Sequence, residues 1–360
     1  MKRNIDLLHG NILTSLTELA VPIMATSMVQ TAYSLTDMAW IGMVGSDAVA
    51  AVGAAGMYTW LLNGAVAMAK MGGQVRVAQS YGEGKVDEAV EYGKGAAQLA
   101  IAMALSFAVL ANVFAWQLVG FFHLNTASIV ANAVIYLRIA CGMLVFSHLG
   151  QTMTGLYTAV GNSRTPFLAN GVGLALNMIL DPMLILGLGP FPRLGVAGAA
   201  IATVTAQAVV LAVLLISARK DSILSRQLRI WKPTSRRHFK SIVRIGFPTA
   251  IQDMIYCSIS MYLTRFVTSW GDAAVAVQRV GGQIEAISWM TAEGFGTAIN
   301  AFTGQNYGAG NLKRVKKGYT TAAGLMFVWG IFTSLLLIFG VVSYIRNDSG
   351  SMAAAWQKLA

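Results

Sequence analysis

Residues 78–84 read AQSYGEG and residues 304–310 read GQNYGAG, 226 positions further on. The same offset carries Pro22 of LAVPIMA onto Pro248 of RIGFPTA, Gly45 onto Gly271, and Gly56 onto Gly282. It also carries Ala48, Val49 and Ala50 onto Ala274, Val275 and Ala276. Matches held over more than sixty residues without a gap mark an internal repeat, and a repeat governs the fold of the whole chain.

Working outward from the two copies, the surroundings are apolar. Of 360 residues, 56% are hydrophobic and 11% charged. A soluble domain carries about a quarter charged residues and has no room to bury this much apolar surface. The expected class is therefore an all-α polytopic membrane protein. A helix needs about 20 apolar residues to cross a bilayer. That length fits nine stretches: 17–44, 48–70, 95–119, 129–157, 166–189, 195–217, 242–268, 274–300 and 319–344. The first follows Lys2 and Arg3 without a small-residue cleavage site, so it is expected to be retained as a span.

The net charge of +11 could suggest nucleic acid, but its placement excludes that. If the nine spans alternate, most lysines and arginines fall on one side, including the run from Arg219 to Arg244. Such asymmetry marks the cytoplasmic face, so the N-terminus is expected inside a plasma (inner) membrane crossed many times. The basic stretch is expected to be a solvated linker touching anionic lipid. Only Cys141 and Cys257 occur, too few for a disulfide framework or a cysteine metal site. No nucleophile–base arrangement or metal-spaced histidine set is present, so the chain is not expected to be an enzyme or to carry a cofactor.

The expected organisation follows the repeat: an N-terminal six-helix lobe at 1–217, a basic linker at 218–241, a partial C-terminal lobe of three helices at 242–346, and a polar tail at 347–360. Six spans separate the copies, so they start on the same side and are related by an axis along the membrane normal. Two such lobes are the plan of secondary transporters, which hold cargo between them.

Ionisable groups in hydrocarbon are functional candidates. Gln30, Tyr33 and Asp37 recur at spacings of three and four on the first span, hence on one helical face. Asn177 and Asp181 do the same on the fifth, where Pro182 can kink the helix. Thr203 lies in the sixth. At about 1.5 Å rise per residue these groups meet in the middle-to-outer half of the first lobe. Two carboxyls, an amide and a hydroxyl in low dielectric can hold a proton or a small hard cation. Asp37, Asn177, Asp181 and Thr203 are thus the candidate H⁺ or Na⁺ site, and Gln30, Tyr33, Asp37, Asn177 and Asp181 the candidate substrate cavity. Asp253, Glu285 and Glu293 are weaker candidates, with Arg265 and Arg279 near enough in sequence to neutralise them. Arg138 is a possible ion-pair partner for one of the acids. His148 suits an interhelical hydrogen bond, His123 a solvated helix end, and Met24, Met28, Met38, Met43 and Met57 packing, with some prospect of lining an adaptable pocket.

Taken together, YSLTDMAWIGMVGSDAVAAVG at 33–53, QSYGEGKVDEA at 79–89, TAVGNSRTPF at 158–167, NMILDPMLILGLG at 177–189, LGVAGAAIATVTAQ at 194–207 and GQNYGAGN at 304–311 resemble the multidrug and toxic compound extrusion (MATE) family. The likeness runs from about Leu19 to about Gly340. It implies twelve helices in two six-helix lobes and export of small amphipathic organic cations in exchange for H⁺ or Na⁺, without nucleic acid or an obligate protein partner. It implies a coupling-ion site at Asp37, Asn177, Asp181 and Thr203, with Gln30 and Tyr33 beside it. It also implies that protonation bends the first helix, as Pro22 and Pro182 would permit. The sequence departs from the family in two ways. Asp253 is not clearly in register with the glutamate of the seventh helix, and the tenth helix with its aspartate is absent, which counts against a C-lobe cation site. The second copy has three spans, so a shortened gene product is expected. The alternatives are a lipid-linked saccharide flippase of the same superfamily, which would need a basic cavity, and a non-transporting fragment.

Overall fold

The computed structural model describes residues 5–347 except 123, 125, 190, 222, 228, 229 and 269–271, and the side chains of these except 261, 264, 265, 267–287, 336, 337 and 340–347. His123 and the side chains of Arg265, Arg279 and Glu285 lie outside the described residues.

Among the described residues the secondary structure is helical. The first lobe holds α1 (Ile12–Gly42), α2 (Ser46–Gly82), α3 (Val86–Val113), the short α4 (Ala115–Gly120), α5 (Ala127–Gly142), α6 (Leu144–Ala159), α7 (Arg164–Leu186) and α8 (Val196–Ala218). A linker bearing α9 (Leu224–Gln227) leads to α10 (Arg236–Thr268), α11 (Asp272–Gly308) and α12 (Leu312–Asn347). Five helices, α1, α2, α3, α7 and α8, are each long and apolar enough to cross a membrane. The fourth span, expected as one helix over 129–157, is instead the pair α5 and α6, bent by 46° at Met143. With that pair counted once, the first lobe has six such spans, and the second lobe contributes the three long helices α10, α11 and α12.

Outward faces carry Val109, Val113, Phe114, Trp116, Leu168, Ile179, Phe327 and Val328, each more than two-fifths exposed. Apolar area on this scale would aggregate in water and belongs against lipid tails. The interior is packed by small residues: Ala51, Ala55, Ala104, Ala199 and Ala200 are fully or nearly fully buried in the core of the first lobe. This is how membrane helices approach closely when no hydrophobic force drives them together.

Helix α2 outruns its expected span. The expected stretch 48–70 ends at Lys70, yet the helix continues through Gly72 and Gly73 to Gly82. Both glycines are needed for packing rather than for a turn. A Cβ on Gly72 would lie 2.3 Å from the Ile242 carbonyl oxygen, and one on Gly73 2.5 Å from Ala96 Cβ. Neighbouring helices therefore hold the glycines in helical conformation. Lys70 is consequently inside the bundle and not in a loop.

The two lobes meet around the repeat motif itself. A Cβ on Gly82 would lie 1.9 Å from the Gln305 carbonyl oxygen, and one on Gly308 2.0 Å from that of Gln79. Gln79 and Gly82 are the offset mates of Gln305 and Gly308, so these are two copies of one contact. One turn deeper, Gln74 Nε2 donates to the Thr297 carbonyl (2.9 Å), and the mated Asn300 Nδ2 contacts Met71 Sδ (3.3 Å). A Cβ on Gly304 would lie 2.8 Å from its mate's Cβ, that of Ala78. Residue i meeting j′ while j meets i′ is the mark of a two-fold axis, here running between α2 and α11.

The same end of the bundle gathers the basic turns. Ile5 N donates to Gly161 O (2.9 Å), Arg314 Nη1 to Gly10 O (2.9 Å) and Gln305 Nε2 to Ala159 O (2.7 Å). The linker is bolted to α3 rather than freely solvated. Gln98 Nε2 donates to the carbonyls of Ile230 (2.7 Å) and Lys232 (2.8 Å), its Oε1 accepts from Thr234 N (3.2 Å), and Arg226 pairs with Asp87.

Candidate functional site

A cavity of about 680 Å³ opens within the first lobe and reaches the seam with the second. Gln30, Tyr33 and Asp37 line it from α1 and Thr203 from α8, while Lys70 of α2 and Glu293 of α11 stand at the seam. The three α1 residues share a face because they are spaced by three and four, and α1 runs as one helix through Pro22. Thr26 Oγ1 bonds the Pro22 carbonyl at 2.8 Å, one turn before Gln30.

Tyr33 Oη donates to Thr203 Oγ1 at 2.7 Å, joining α1 to α8 across 170 positions of chain. Asn177 Nδ2 donates to Asp181 Oδ1 at 3.0 Å along α7. Asp37 is 8% exposed, and Asn177 and Asp181 are wholly buried. Asp37 and Asp181 lie within electrostatic range of each other and of the Tyr33 and Tyr136 hydroxyls. The four residues expected as an ion site thus converge from α1, α7 and α8 on one region.

They do not all line the cavity. Asn177 and Asp181 are absent from its wall, because their face of α7 turns into the helix packing behind Asp37. Asp37 alone of the pair of acids belongs both to the wall and to the buried group. Asp37 Oδ1, Asn177 Oδ1 and Asp181 Oδ2 are buried with no hydrogen-bond partner among the described residues. No ion pair among those residues reaches either carboxylate. Two bare anions in such a place would be costly, so the group is chemically suited to take up positive charge. It offers two carboxylates, an amide oxygen and hydroxyls, all hard oxygen donors. Among the described residues no group of three or more His, Cys, Asp or Glu side chains is placed to hold a metal ion.

Other expectations fare unevenly. Arg138 is exposed and pairs with neither acid, because it shares α5 with the inward Tyr136 but points away from it. His148 is buried edge-on to Phe107, with ring centroids 6.3 Å apart. Met38 and Met57 line the cavity, and Met24, Met28 and Met43 do not. Lys70, Tyr136 and Asn63 were missed as cavity residues. Asn63 accepts from Gln151 Nε2 at 3.0 Å on the wall opposite α1. The available signal was that Asn63 and Lys70 are seven apart on α2, two turns of one face.

Comparison with known proteins gives the family and the fold. The family described as MatE matches residues 22–183 and 248–346. A probable multidrug resistance protein NorM of Thermotoga maritima is 29% identical over 303 residues, covering 83% of this chain and 64% of the relative, so the chain spans less than two thirds of that protein's length. The FAD transporter of Shewanella oneidensis is 26% identical over 94% of this chain and 74% of its own length. Among solved structures, a MOP superfamily transporter from Pyrococcus furiosus superposes with a TM-score of 0.82 at 24% identity, over 96% of this chain and 74% of that one. That likeness carries the fold, and the family match, which takes in both copies of the repeat, carries the kinship: this multi-pass membrane chain belongs to the MatE family.

Proposed function

We propose that the chain works as a secondary active antiporter that exports small amphipathic organic cations in exchange for H⁺ or Na⁺. Asp37, Asn177, Asp181 and Thr203 form the coupling site, and Gln30, Tyr33 and Asp37 face the cargo. The observation that carries this reading is the double position of Asp37, on the cavity wall and within electrostatic range of the buried Asp181, whose Oδ2 has no hydrogen-bond partner among the described residues. A coupling ion at Asp37 neutralises the charge that a cationic cargo needs. Loading by one therefore weakens the other, which is the thermodynamic requirement of antiport.

Charge in the cavity supports a cationic cargo. Among the described residues its wall carries Asp37 and Glu293 against one base, Lys70. A lipid-linked saccharide flippase would call for the opposite balance. The orientation follows from the basic turns gathered at one end of the bundle: that end, with the N-terminus, faces the cytoplasm of a plasma (inner) membrane.

The test is transport in proteoliposomes with defined gradients. Efflux of tetraphenylphosphonium is expected to follow an imposed proton or sodium gradient, to stop when that gradient is dissipated, and to be lost in Asp37→Asn. Transport indifferent to both gradients and to Asp37→Asn contradicts the reading. Including FAD as an alternative cargo tests the charge argument, which expects it to be moved poorly.

A further inference from the structure

Three charged side chains stand together where the lobes meet. Lys70 Nζ lies 3.8 Å from Glu293 Oε1, and Asp253 is within electrostatic range of both. Asp253 sits against α2, its Cβ 3.4 Å from where a Cβ on Gly64 would be. Lys70 belongs to α2 of the first lobe, Asp253 to α10 and Glu293 to α11 of the second. Lys70 is twelve residues before the end of α2, roughly 18 Å along the helix axis. Charges at that depth need a purpose beyond packing.

Internal symmetry shows that packing does not require them. The 226-residue offset gives each a mate at the other seam: Gly296 for Lys70, Ser27 for Asp253 and Ala67 for Glu293. That second seam is uncharged at all three positions, yet it too is closed. A Cβ on Gly294 would lie 2.3 Å from Met24 Cγ, and Leu16 and Ala298 are fully buried together. Of the two seams related by the repeat, one carries two acids and a base.

The pair is also built loosely. At 3.8 Å it is at the long end of an ion pair, and the Glu293 side chain is 58% exposed, against 24% for Lys70. Both line the cavity. We infer that Glu293 is a second recognition point for a monovalent organic cation, masked by Lys70, which the cargo displaces. This rests on the proposed cationic cargo, and places its positive charge at the seam between the lobes, apart from Asp37. Lys70, once displaced, remains neutralised by Asp253, so the exchange leaves no lone charge at depth. Specificity follows, because a neutral cargo gains nothing by breaking the pair and an anionic one meets two carboxylates.

A double-mutant cycle tests this on the whole chain in nanodiscs, with tetraphenylphosphonium binding measured by equilibrium dialysis. Lys70→Met is expected to tighten binding about two- to fivefold, the effect of removing a competing, half-exposed ion pair. Glu293→Gln is expected to weaken it. In the Glu293→Gln background, Lys70→Met is expected to change nothing. Equal effects of Lys70→Met with Glu or Gln at 293 overturn the inference while leaving a cation-binding cavity intact. Absence of binding in every variant, wild type included, overturns both this inference and the cargo class it rests on. The neutral swap at the mated position, Ala67→Ser, is a control expected to leave affinity unchanged.

Discussion

Replacing Gly82 by alanine tests the symmetric seam at the point where it is tightest. The added methyl would lie 1.9 Å from the Gln305 carbonyl oxygen, and side-chain carbons essentially never approach backbone closer than 3.0 Å. The backbones of α2 and α11 must therefore part by at least 1.1 Å, since neither side of the contact is a movable side chain. Gly308→Ala, at 2.0 Å from the Gln79 carbonyl oxygen, demands the same displacement from the other lobe. Overpacking of this kind costs about 1–3 kcal/mol. Thermal unfolding of the purified protein is expected to fall by several degrees for either substitution. Because one separation relieves both clashes, the double substitution is expected to cost less than the two singles together. Gly296→Ala, where an added Cβ meets nothing within 4 Å, serves as the control and is expected to be neutral. The second readout is the distance between spin labels at Lys85 and Lys313, at the starts of α3 and α12 in opposite lobes, which is expected to lengthen. Melting within a degree of wild type, with unchanged label distances, would refute the packing of α2 on α11 described above.

Three further outcomes follow. Tyr33→Phe removes the 2.7 Å bond to Thr203, the one side-chain hydrogen bond between α1 and α8 found among the described residues, and is expected to cost about 1 kcal/mol and weaken coupling-ion affinity about fivefold; an unchanged ion dependence of transport would count against a role for that bond. Asn177→Leu strips Asp181 of its one hydrogen-bond donor among the described residues, and is expected to impair ion-driven transport more than facilitated cargo exchange, as flux assays would resolve. Gln98→Ala breaks three hydrogen bonds that pin residues 230–234 to α3, and is expected to expose the linker to trypsin at Lys232 while leaving transport nearly intact.

The repeat at 78–84 and 304–310 made the architecture legible, because one offset places every helix of the second lobe on one of the first. The convergence of the candidate site residues was legible for a related reason. Spacings of three and four put Gln30, Tyr33 and Asp37 on one face, and four put Asn177 with Asp181, while cost in hydrocarbon marks acids whatever their partners. What periodicity does not encode is which way a helix is rotated in the bundle. That is why Asn177 and Asp181 turned out behind the cavity wall, and why Tyr136 faces it while Arg138 does not. Lys70 was misplaced by a different cause. It stands at the end of the expected span 48–70, and only the approach of Ile242 and Ala96 shows why the helix continues. The bend at Met143 likewise has no proline to announce it.

The central claim is that Asp37 and Asp181 load and release a coupling ion. Difference infrared spectroscopy on the whole chain in lipid tests it most directly, by comparing carboxyl bands across a pH titration with and without sodium. The account predicts bands that respond to pH or to Na⁺, are diminished in Asp37→Asn and in Asp181→Asn, and shift when tetraphenylphosphonium is added. Carboxyl bands that stay constant through the titration, or change identically in wild type and both variants, would contradict it.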